Sequence, residues 1–89
     1  METARRLATL LRSRFGVRRV VLFGSLARGE FGRGSDIDLA VEGLAADRLF
    51  RAGADLDEMA HGIRVDLVPV ESATRSLRDR LENEGIVLP

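Results

Sequence analysis

The apolar positions of the chain follow two rhythms, a helical spacing and a strand alternation. Ala4, Leu7, Ala8, Leu11 and Phe15 recur at helical intervals, which predicts an amphipathic helix over residues 3–14 that ends near Gly16. Val20, Val21, Leu22 and Phe23 form an unbroken apolar run stopped by Gly24, the pattern of a buried strand. Residues 36–41 alternate, with Ile37, Leu39 and Val41 on one face and Asp36 and Asp38 on the other, as in a half-buried strand. Leu49, Gly53, Leu56 and Ala60 share a helical face that Gly62 closes. A third strand spans Val65 to Val70. A last helix carries Ala73, Leu77 and Leu81, reaches Gly85, and leaves Ile86, Val87 and Leu88 as a short apolar tail.

This order predicts an α/β (α+β) domain: a small mixed sheet of three or so strands with helices packed on one face. The connection between the second and third strands exceeds twenty residues and holds a helix, which suits a right-handed crossover between parallel neighbours. The connection between the first two is a dozen residues and glycine-rich, too long for a tight hairpin. No repeat or linker divides the chain, so residues 1–89 read as one domain.

Composition narrows the chemistry. At 89 residues, only about 60–65% of the unfolded chain's surface is buried on folding, so a partner surface would add stability. The absence of cysteine excludes disulfides and thiolate metal sites. No leader or long apolar span is visible, so the expectation is a cytoplasmic protein with no membrane role. Acidic and basic residues balance at 14 each, which argues against a broad nucleic-acid-binding face. Every basic residue is arginine, so no lysine nucleophile or Walker lysine exists.

The polar side of the alternating strand carries the candidate chemistry. Asp36 and Asp38 would stand about 6–7 Å apart with parallel side chains, so their carboxylates can converge on shared ions. Asp66 joins the same face if its strand lies beside theirs, and three carboxylates repel one another unless cations neutralise them. Oxygen ligands with no histidine or cysteine nearby favour Mg²⁺ or Mn²⁺ over zinc. Two such ions about 3.5–4 Å apart form the clamp used in nucleotidyl transfer. If a short helix starts at Ser25, its backbone N–H groups can hold a triphosphate, and Gly24 permits close approach of a phosphate.

Gly24-Ser25, ten intervening residues and then Asp36-Ile37-Asp38 resembles the signature of the DNA polymerase beta nucleotidyltransferase superfamily. Ala27-Arg28-Gly29, Ser35 to Leu39, the Asp66 strand and the Glu84 to Leu88 ending are similar to its minimal nucleotidyltransferase (MNT) branch, so the resemblance covers nearly the whole chain. It implies the nucleotidyltransferase fold, with Asp36 and Asp38 binding two Mg²⁺ ions, Ser25 binding nucleotide phosphate, and Asp66 binding one ion and helping to deprotonate the attacking hydroxyl. It further implies ATP as substrate and a HEPN-domain toxin as partner. In several such antitoxins AMP is transferred to a tyrosine hydroxyl of the toxin, silencing its ribonuclease.

Other residues keep open readings. Arg28 either touches phosphate or remains a solvated charge. The glycines at 29, 32 and 34 have the wrong spacing for a dinucleotide loop and read as loop flexibility. His61 suits a helix end, where a cation complements the dipole. Arg5, Arg6, Arg12, Arg14, Arg18 and Arg19 read as the polar side of the first helix and its exit, with a docking surface for an acidic partner or RNA as the minority reading. Two functions follow: an antitoxin enzyme that modifies its partner, or a masking subunit of the same fold that only binds it. The apolar tail makes self-association or burial against a partner plausible.

Overall fold

A computed structural model describes residues 2–29 and 36–89; the glycines at 32 and 34 lie outside the described residues. The chain runs α1 (Glu2–Phe15), β1 (Arg19–Phe23), α2 (Gly24–Ala27), β2 (Ile37–Glu42), α3 (Leu49–Met59), β3 (Val65–Pro69), α4 (Arg75–Glu84) and β4 (Ile86–Val87), with single 3-10 turns before α3 and α4. No described helix is long and apolar enough to cross a membrane.

The strands form one sheet in the order β3-β2-β1-β4. β1 runs antiparallel to both β2 and β4, and β2 runs parallel to β3, so the sheet is mixed as expected. The parallel pair follows from the long connection through α3, which returns the chain to the same end of the sheet.

One sheet face carries the larger core. Ala4, Leu7, Leu11 and Phe15 of α1 and Ala52 and Leu56 of α3 pack there against Val20, Leu22, Ile37, Leu39 and Val41. Glu2 in the first turn of α1 and Arg12 and Arg14 in its last turn complement the helix dipole. Arg14 pairs with Asp55 of α3 at 3.2 Å, tying the two helices together.

α4 departs from the expected single helical layer, because it packs on the opposite face. Val21, Phe23 and Ala40 point that way, and an apolar patch of this kind must be covered. Leu77 and Leu81, one helical turn apart, provide the cover together with Val68 and Val70. Thr74 starts α4 by accepting a hydrogen bond from the Leu77 N–H at 3.2 Å.

The apolar tail is the other departure, since residues 86–87 form a fourth strand. Leu22 pairs with Ile86 and Val21 with Val87, while the Leu88 N–H donates to the Val20 carbonyl at 2.9 Å. Leu88 is only 2% exposed and belongs to the larger core, whereas Ile86 and Val87 of the same tail stay exposed. Arg12 of α1 donates to the Leu88 carbonyl. Gly85 makes the turn possible: a Cβ there would overlap the Leu81 carbonyl and reach 2.6 Å from Cγ1 of Val21.

Candidate functional site

The carboxylate face is assembled by strand register. Phe23 of β1 lies opposite Asp38 of β2, and Asp38 lies opposite Asp66 of β3. Residues paired across neighbouring strands point to the same side of the sheet, so Phe23, Asp38 and Asp66 form one transverse row. Asp36 sits immediately before β2, two residues upstream of Asp38, and is half-buried like it. α4 covers only part of this face, through the patch around Val21 and Ala40.

Asp38 and Asp66 are in side-chain hydrogen-bond contact. Burial, the charge of Asp66, that hydrogen bond and then the charge of Asp36 push the Asp38 carboxyl above its ordinary value, while the Arg80 guanidinium opposes them. Two carboxylates that touch need a proton or a cation between them. Arg64 balances part of the charge, with its Nε 3.5 Å from Oδ1 of Asp66.

Among the described residues, no three acidic or histidine side chains are gathered closely enough to make a metal cluster. Asp38 and Asp66 give a donor pair in contact, and Asp36, two residues before Asp38, brings a third carboxylate that acts on it through space. Such an all-carboxylate set suits a hard divalent cation.

Gly24 and Ser25 follow β1 directly and open α2, as the sequence implied. Gly24 has φ +74°, and a Cβ built on it would overlap Oδ2 of Asp38 and stand 3.1 Å from Cγ. The glycine is required for the carboxylate to lie against the turn, a tighter reason than room for a phosphate. Ser25 is half-buried beside it, and no side chain caps the first turn of α2.

Arg28 is turned toward α4, where its Nη1 lies 3.3 Å from Oε2 of Glu84. His61 follows the end of α3 with φ +50°. It lines a surface groove of about 640 Å³ together with Arg5, Arg6 and Arg14 of α1, and none of the row residues borders that groove.

Arg80 escaped the sequence reading. Its guanidinium lies 5.8 Å from the centroid of the Phe23 ring, on the carboxylate side of the sheet. The available signal was its place between Leu77 and Leu81 on α4, which acquires meaning only once α4 is known to cover that face.

Comparison with known proteins is consistent with this geometry. The nucleotidyltransferase domain family model matches residues 4–88. A Methanocaldococcus jannaschii protein with the provisional name of protein adenylyltransferase is 39% identical over 74 residues, covering 80% of this chain and 78% of its own. A crystal structure of a toxin-antitoxin with AMP-PNP superposes with a TM-score of 0.83 at 30% identity, covering 97% of this chain and 72% of that one. A tri-AMPylated Shewanella oneidensis HEPN toxin in complex with its MNT antitoxin superposes at 0.76 and 26% identity, over 99% of this chain and 70% of that one.

Proposed function

The chain belongs to the nucleotidyltransferase domain family, and from that membership we propose that it is an antitoxin enzyme transferring AMP from ATP to a hydroxyl, specifically a tyrosine hydroxyl, of a HEPN-domain toxin. The observation that carries this reading is the contact of Asp38 with Asp66 beside the Gly24–Ser25 turn. The relatives that are toxin-antitoxin pairs, one with AMP-PNP and one with an AMPylated HEPN toxin, support the choice of nucleotide and partner.

Asp36, Asp38 and Asp66 would hold two Mg²⁺ ions, with Mn²⁺ as a substitute. When bound, these ions supply the positive charge that neutralises the triphosphate and polarises its phosphorus–oxygen bonds. Ser25 and the backbone around Gly24 hold the phosphates, and Arg28 borders them from the end of α2. The acceptor oxygen forms a bond to the α-phosphorus, the bond from that phosphorus to the bridging oxygen of the β-phosphate breaks, and pyrophosphate leaves with the electron pair. The hydroxyl proton passes to Asp66. The acceptor hydroxyl belongs to the partner, whose docking brings it into line with the α-phosphorus. We assign the whole chain, 1–89, to this one domain and place its action in the cytoplasm, with no direct nucleic-acid contact.

Intact-mass analysis of the HEPN partner after incubation with the chain, Mg²⁺ and ATP tests the reading. One or more AMP units on the partner, with inhibition that persists after the proteins are separated, is the expected result. A partner that is inhibited but unmodified, and inhibited equally by Asp36→Asn and Asp38→Asn, would leave masking as the function.

A further inference from the structure

The row of side chains on the carboxylate face is asymmetric. Asp66 stands at its β3 end, Asp38 in the middle, and Phe23 at its β1 end, where the Gly24–Ser25 turn begins. Arg80 is laid over the Phe23 ring at that same end. A displacement at phosphorus places the incoming oxygen and the leaving group on opposite sides of the reacting atom. If the hydroxyl is deprotonated at Asp66, the leaving pyrophosphate departs toward the β1 end of the row.

Two cations stand at that end, Arg28 at the close of α2 and Arg80 on α4; Arg80 is the one laid over the Phe23 ring. It makes no ion pair among the described residues, although Glu84 lies one turn further along α4; that carboxylate is taken by Arg28. A guanidinium held over an aromatic ring keeps the N–H groups of its edge available, and these match the paired oxygens of a phosphate.

We propose that Arg80 receives the β- and γ-phosphates of the nucleotide, on the side of Asp38 away from Asp66, and thereby selects nucleoside triphosphates over monophosphates. This assignment rests on the transfer reading above. The Phe23 ring acts as the platform that orients the guanidinium, and α4 is the element that delivers it.

Equilibrium titration with a non-hydrolysable ATP analogue and with AMP, both with Mg²⁺, tests the assignment on the full chain and its Arg80→Ala and Arg80→Lys variants. Arg80→Ala should weaken the triphosphate analogue by roughly tenfold to a hundredfold while leaving AMP unchanged, and Arg80→Lys should restore part of the loss. Unchanged binding of the analogue by Arg80→Ala, or equal weakening of analogue and AMP, would overturn the assignment while the transfer reading stands. A wild-type chain that binds neither nucleotide overturns both.

Discussion

Oδ2 of Asp38 occupies the space in which any residue other than glycine at position 24 would place its Cβ. The backbone at that position is also left-handed, with φ +74°. Gly24→Ala should therefore cost about 1–2 kcal/mol in backbone strain alone. It should also displace the Asp38 carboxylate, so that Mg²⁺-dependent nucleotide binding falls by more than the stability loss explains. Thermal unfolding and nucleotide titration on the same sample separate the two effects.

Asp38 carries a stability cost that depends on pH. Its carboxyl is raised above the ordinary 3.8 by burial first, then by the charge of Asp66 and their hydrogen bond. A group with a raised folded-state value binds its proton more tightly in the native protein. The stability contributed by that proton is complete below 3.8 and is lost as pH rises through the higher folded value. Asp38→Asn should accordingly unfold at a higher temperature than the wild type near neutral pH, and the gap should close as the solution is acidified below that window. A variant that is less stable at neutral pH would contradict the cost of holding the Asp38 charge buried beside Asp66.

The carboxylates should separate from Ser25 in their kinetic effect. Asp36→Asn or Asp38→Asn is expected to lower AMP transfer by at least about a hundredfold, because the charge that holds the ions is lost. Ser25→Ala should cost only about tenfold, since the backbone donors of the turn remain. Transfer rates measured with the HEPN partner under saturating Mg²⁺ give the comparison. Full transfer by either aspartate variant would remove both from the site.

Leu88 belongs to the core although it stands next to the last position of the sequence. Leu88→Ala should destabilise the chain by about 2–5 kcal/mol, as other buried leucine truncations do. Val87→Ala, at an outward position that is 58% exposed, should cost far less. Denaturant midpoints of the two variants make this contrast directly.

Much of the architecture was legible in local pattern. The alternation of residues 36–41 placed Asp36 and Asp38 opposite Ile37, Leu39 and Val41, and the core packs against those three apolar side chains. The spacing of Leu7, Ala8, Leu11 and Phe15 marked the buried side of α1, and the Gly24–Ser25 to Asp36–Asp38 interval carried the family resemblance that the match over residues 4–88 bears out. These are properties of period and spacing, and a chain carries them before it folds.

Only the tertiary structure decided the rest, because it depends on which surfaces meet. The sequence left Asp66 conditional on the neighbour of its strand, and the parallel register puts it directly beside Asp38. The tail was apolar in either reading; that Leu88 enters the core while Ile86 and Val87 stay exposed depended on the open edge of β1, with which residues 86–87 pair. α4 was amphipathic wherever it lay, and the uncovered patch of Val21, Phe23 and Ala40 drew it to the carboxylate face. That docking brings Arg80 over Phe23, a meeting of residues far apart in the chain that no local pattern encodes, since hydrophobic burial sets which helix face is covered but the shape of the remaining sheet sets where.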